Sequence, residues 1–224
     1  MPSTTRSPDY TTASRAFGSV ATIGQAAVFG QVMGLVAVTV GFTALGAYIG
    51  RNLSGGAAIA CFIGGFIAIV ATSFVARRSE RLAITTLFAA GLLLGLGLGP
   101  GLSQYAQAQP QAVWQAAGAT ALFIAGLGAV GYSIRRDLSP AFRYLFLALV
   151  GLIVFGLVAV FVSIPHANVI YAVLGLVIFG GYTVLDFNLM RRAGVQDIVP
   201  LAAGIFLDVL NVFLFFLTLF GNRE

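Results

Sequence analysis

The stretch IVPLAAGIFLDVLNVFLFFLTLF at 198–220 decides the fold class. A bilayer-spanning helix needs about 20 predominantly apolar residues. This run supplies them and carries a single charge, Asp208, near its middle. The stretch before it, NVIYAVLGLVIFGGYTVLDFNLM at 168–190, repeats the pattern with Asp186 near its end. A carboxylate at the bilayer centre costs at least about 2.5 kcal/mol, so an acid held at that depth points to function by default.

Working outward, five further apolar segments precede these two, at 27–49, 56–76, 83–100, 111–133 and 141–163; the last two lie at 167–190 and 198–220. Lipid offers backbone groups no hydrogen-bond partner, so each segment is expected to be a helix. The reading is an all-α integral membrane protein with seven transmembrane helices. Composition agrees. The chain is 59% hydrophobic and 8% charged, where soluble domains carry about 25% charged residues. Residues 1–25 are polar and rich in Ser and Thr. They read as a flexible cytoplasmic tail, with a short interfacial helix near Phe17 to Ala27, ahead of a seven-helix domain over 26–224. No apolar run between a basic start and a cleavage site marks a signal peptide.

The 12 basic residues are all arginine. With no lysine there is no Schiff-base chemistry and no retinal linkage. Ten arginines lie in the tail and in the segments at 77–81, 135–143 and 191–197, against Arg51 and Arg223 in the alternate set. The positive-inside rule then places the N-terminus in the cytoplasm and the C-terminus outside. The same distribution explains the pI of 9.9 as membrane topology rather than a nucleic-acid surface. Cys61, alone, forms no internal disulfide and no thiolate cluster. Gly91, Gly95 and Gly99 recur every four residues, as do Gly30 and Gly34, and both sets are expected to let helices approach closely. The loop between the third and fourth spans is expected from Pro100 to Pro110.

Of the acids, only Asp186 and Asp208 lie at membrane depth. Glu80 and Asp137 sit among arginines, where solvated pairing is the expectation. Antiparallel neighbours can bring Asp186 and Asp208 to similar depth, with Asn188 and Asn211 as supporting polar groups; Asn211 shares a helix face with Asp208. Two carboxylates in one dry niche hold a common proton and titrate as a unit. Losing it adds a charge that pushes the helices apart or recruits a cation. The pair makes only a weak, transient cation site, since calcium takes about 6–8 oxygen ligands. The alternative is that each acid bonds a separate neighbour and fixes packing. His166 reads as a solvated loop residue, and Tyr105 and Trp114 as interfacial anchors. No His-Glu-x-x-His or Gly-x-Ser-x-Gly motif is present. The expectation is a protein that is not an enzyme and holds no cofactor.

Several of these segments resemble the Bax inhibitor-1 family in its bacterial branch. They are Tyr182-Thr183-Val184-Leu185-Asp186-Phe187-Asn188, the run Ile205-Phe206-Leu207-Asp208-Val209-Leu210-Asn211-Val212-Phe213-Leu214 with Leu219-Phe220-Gly221, LGLGPGLSQY at 96–105, and QAAGATALFIAGLGAVGYSIRRDLSP at 115–140. The resemblance implies two three-helix layers around a central C-terminal helix. It also implies a proton-sensing Asp186–Asp208 pair controlling a calcium leak. Two departures stand out. The sixth-helix motif of relatives reads Tyr-Asp-Thr, here Leu185-Asp186-Phe187, and the basic latch residue some relatives carry in the second helix has no counterpart in 57–76. The expected function is a pH-sensitive calcium or other cation leak of a bacterial inner membrane, in contact with the lipid bilayer. The alternative, also found in some bacterial members, is a non-conducting protein that binds and modulates a membrane protease or other membrane complex, with the tail as its contact.

Overall fold

A computed structural model describes residues 10–221, with side chains over 24–221. Seven long helices account for it: α1 Tyr10–Gly50, α2 Gly55–Val75, α3 Glu80–Ala108, α4 Pro110–Ser133, α5 Phe142–Phe161, α6 Ala167–Met190 and α7 Ile198–Gly221. Each contains a stretch long and apolar enough to cross a membrane. Of the expected tail, residues 1–9 lie outside the described residues, and from Tyr10 the backbone is helical and continuous with the first span. Residues 222–224 also lie outside the described residues.

Helices α1, α2 and α3 pack together, as do α4, α5 and α6, and α7 touches α1, α2, α3, α4 and α6. The most buried of the seven is α7, and α5 is the least. This is the expected pair of three-helix layers around a C-terminal helix. Phe206, Ile205, Ala202 and Val212 of α7 form the centre of the apolar core.

The α1–α3 seam shows how the layers hold. Lipid tails are as apolar as leucine, so helices adhere in a bilayer through close packing rather than through expulsion of water. Gly91, Gly95 and Gly99 of α3 lie against Thr39, Thr43, Ala47 and Gly50 of α1 with no room for a Cβ. The second glycine pair departs from expectation: Gly30 and Gly34 have open space where a side chain would begin. Helix α1 turns Val32, Val36, Thr39 and Thr43 inward, at the 3.6-residue period of one face. Gly30 and Gly34 fall outside that stripe.

The expected loop from Pro100 is also corrected. Helix α3 runs through Pro100 to Ala108. Proline removes the N–H that would meet the carbonyl four residues earlier, here that of Leu96. That carbonyl faces Gly50, and the Ser103 hydroxyl donates to Pro100 O at 2.8 Å. Neighbouring helices and serine side chains make proline tolerable in a membrane helix. The chain then breaks at Gln109, and Pro110 opens α4, at the position where a missing N–H costs no helical bond.

Replacing Gly95 by valine is expected to destabilise the protein by about 3 kcal/mol, because its neighbours are α1 backbone that cannot rotate away. Gly30→Val is expected to stay within about 0.5 kcal/mol. Thermal unfolding of both variants in detergent checks the contrast.

Candidate functional site

Near its arginine-rich end, α6 presents three consecutive residues to three different surroundings. At about 100° per residue, Asp186, Phe187 and Asn188 point in divergent directions. Asp186 faces α7: its Oδ2 occupies the space a side chain at Gly204 would need, 2.6 Å from where that Cβ would stand. Gly204 precedes Asp208 by four residues, roughly 6 Å along the helix axis. The absence of a side chain at 204 thus seats the first carboxylate one turn from the second.

Asp208 is only 3% exposed. Its Oδ2 is buried without a hydrogen-bond partner. The two carboxylates act on each other electrostatically, and the Thr183 hydroxyl acts on Asp208. Tyr182, buried on α6, feels both acids. No arginine pairs with either acid among the described residues. Nor do the described residues contain a cluster of three or more His, Cys, Asp or Glu able to hold a metal ion.

Phe187 turns toward α4, where its ring fills the space left by Gly128. Asn188 turns to the segment after α4 and does not join the acids. Its Nδ2 donates to Ile134 O at 2.7 Å, Arg136 O at 3.1 Å and Gly131 O at 3.4 Å. Its Oδ1 accepts from Leu138 N at 3.2 Å and from Arg192 at 2.7 Å. The amide therefore caps the orphan carbonyls at the end of α4. Sequence proximity placed Asn188 with the acids; the helix turn between 186 and 188 separates them. Asn211 likewise bonds its own helix, donating to Leu207 O at 2.8 Å.

Two arginines complete the polar clasp that sequence reading did not find. Arg191 donates to Ile134 O at 2.8 Å, and Arg192 pairs with Asp137 at 2.9 Å. The signal was present in Arg135-Arg136-Asp137 and Arg191-Arg192, but their mutual contact spans more than 50 residues of chain. Asp137 meets the expectation of a solvated pair. The Arg192 hydrogen bond, followed by those from Ser139, holds its carboxyl well below the usual carboxylate range. A depressed carboxylate stabilises the fold above the ordinary Asp value near 4 and loses that contribution as pH falls through the folded value. The ion pair is therefore constant between pH 5 and 8. His166 is exposed and adopts φ 57°, the one non-glycine residue with positive φ among those described. Trp114, at 79% exposure, fits an interfacial anchor.

The sequence matches the family described as "Inhibitor of apoptosis-promoting Bax1" over residues 25–224. An uncharacterized protein of Helicobacter pylori is 29% identical over 160 residues, 70% of each chain. An uncharacterized membrane protein of Streptococcus pyogenes is 26% identical over 166 residues, 70% of this chain and 71% of that one. A third relative, an uncharacterized membrane protein of Vibrio cholerae, is 28% identical over 131 residues, 58% of this chain and 59% of its own.

Asn188→Leu strands the Leu138 N–H and the Arg136 carbonyl, and is expected to cost about 3 kcal/mol in unfolding measurements. Asp137→Asn is expected to cost much less. Its stability curve should run parallel to the parent's between pH 5 and 8, which thermal scans across that range would reveal.

Proposed function

From the premise that this chain belongs to the Bax inhibitor-like transmembrane family, we propose that it is a pH-sensitive cation leak, with calcium the conducted ion and the Asp186–Asp208 pair as sensor and part of the path. The observation carrying this reading is the buried Asp208 carboxylate, its Oδ2 without a hydrogen-bond partner, beside a second acid with no arginine among the described residues to neutralise either. An isolated ionised carboxylate in a dry interior is strongly disfavoured. A shared proton relieves the pair. The Thr183 hydroxyl donates its single proton to Phe179 O at 2.9 Å. The same hydroxyl also lies within hydrogen-bonding reach of Asp208.

Removal of the proton leaves negative charge at the α6–α7 seam. Seen from α7, the groups facing that charge are Asp186, Tyr182 and Thr183, none of them cationic. A cation entering the seam supplies the missing compensation. Two carboxylates fall well short of the 6–8 oxygens of a resident calcium site. This suits passage rather than capture. The absence of a basic latch leaves deprotonation itself to separate α6 from α7. The arginine distribution supports a cytoplasmic N-terminus, and the bacterial relatives support a bacterial inner-membrane setting.

In proteoliposomes, calcium flux is expected to rise as pH is raised through the titration of the pair, and Asp208→Asn is expected to flatten the profile. Gly204→Val, which displaces the Asp186 carboxylate from α7 while keeping both acids, is expected to move the midpoint. An Asp208→Asn variant that conducts with the parent's pH profile would remove the sensor role.

A further inference from the structure

A groove runs down the bundle between α1 and α4 with α7 as its floor. Both walls pack on α7 yet scarcely touch each other. Phe29 and Tyr132, ring centroids 5.7 Å apart, bridge them toward the arginine-rich end. The cavity is about 1080 Å³. On α4 its lining extends from Val113 to Tyr132, about 28 Å at 1.5 Å per residue, close to the roughly 30 Å hydrocarbon thickness of a bilayer.

Its surface is almost wholly apolar, with the Trp114 indole N–H and the Tyr132 hydroxyl near its two ends and little between them for water to bond. The two lining threonines return their hydroxyls to their own helices, Thr43 to Thr39 O at 3.0 Å and Thr120 to Ala116 O at 2.7 Å. A water needs two to four polar partners to occupy a cavity. The groove is therefore a place for hydrocarbon.

One end is different. Gln25, beside the lining residue Ala26, donates to Arg191 O at 3.1 Å. The Arg191 guanidinium donates to Ile134 O at 2.8 Å, two residues past the lining residue Tyr132. Arg191 thus joins the ends of the two walls and fixes a guanidinium at the mouth with further N–H donors to offer. Arg135 and Arg136 follow in the same segment, both exposed and with no carboxylate partner among the described residues. The nearby acid, Asp137, is engaged by Arg192.

An apolar channel long enough for an acyl chain and ending in guanidinium groups matches one ligand chemistry: an acyl chain attached to a phosphate. We propose that the α1–α4 groove is a binding site for an anionic glycerophospholipid of the arginine-side leaflet, one acyl chain lying on α7 and the headgroup phosphate held by Arg191 with Arg135 and Arg136. Arginine suits phosphate because its planar fork donates two parallel hydrogen bonds. A second copy of the chain fits the groove less well. Copies inserted with the same orientation would set these arginines facing one another at equal depth, and like charges across an interface are unfavourable.

The test is native mass spectrometry of the full chain in a neutral detergent, titrated with dioleoyl phosphatidylglycerol or dioleoyl phosphatidylcholine. The parent is expected to retain one phosphatidylglycerol with about tenfold preference over the neutral lipid. Arg191→Gln with Arg135→Gln is expected to bring the two lipids near parity. Ala125→Trp, which fills the groove, is expected to lose retention of both, while Leu147→Trp on the exposed face of α5 retains the parent's behaviour. Equal retention of the two lipids by the parent overturns the headgroup site, and parent-like retention by Ala125→Trp overturns the groove. A lipid-free dimer that Ala125→Trp dissociates would assign the groove to a second copy instead. Arg135 and Arg136 are exposed, so Arg135→Gln with Arg136→Gln, expected to narrow the preference in the same way, keeps the test if Ala125→Trp or Arg191→Gln fails to fold.

Discussion

Helices in lipid must find a reason to touch each other rather than the acyl chains. In this protein the reason is close backbone approach, concentrated where side chains are missing. Gly91, Gly95 and Gly99 admit α1 to α3, Gly131 admits the Val184 carbonyl to α4, and Gly175 admits the Phe215 ring between α6 and α7. Each contact replaces lipid with a denser, complementary surface. The two layers are thereby fixed around α7, and only with α7 enclosed does a carboxylate at 208 become a buried one. Everything that follows about the acids depends on that enclosure.

The same economy of side chains places the chemistry. Gly204 gives the Asp186 carboxylate a seat on α7. Phe187 and Asn188, the next two residues, go to the α4 wall and to the connection after it. A single turn of α6 therefore couples three regions: the acid pair, the packed aromatic contact at Gly128, and the polar clasp of Asn188, Arg191 and Arg192 on residues 131–138. A displacement of α6 relative to α7 acts on all three. The clasp anchors the membrane-surface end, where polar bonds are available. The acid pair sits deeper, where they are scarce.

Helix α7 also separates two environments. Toward α6 it offers Gly204 and Asp208, and toward the α1–α4 groove it offers Phe206, Val209, Leu210 and Phe213. One side is an acidic seam with no arginine partner among the described residues, the other the apolar floor of a groove. The same helix is polar on one face and apolar on the other, because those residues fall on different faces of a 3.6-residue turn.

Much of this was legible in the chain. Apolar length set seven spans, since nothing else satisfies a backbone in hydrocarbon, and the cost of intramembrane charge singled out Asp186 and Asp208. The motif at 182–188 together with that at 205–214 pointed to the family. Other features lay beyond a one-dimensional reading. The similar spacing of Gly30-Gly34 and Gly91-Gly95 concealed that one pair faces open space and the other a helix. Pro100 reads as a break until Ser103 is seen on its carbonyl and Gly50 against that of Leu96. Asn188 reads as a companion of Asp186 until helical rotation carries it to α4. Sequence determined what crosses the membrane and which groups are costly there, because both follow from transfer energies of individual residues. Tertiary structure decided which costly groups meet, which are satisfied and where an apolar groove stays open, because those depend on rotation and proximity of helices far apart along the chain.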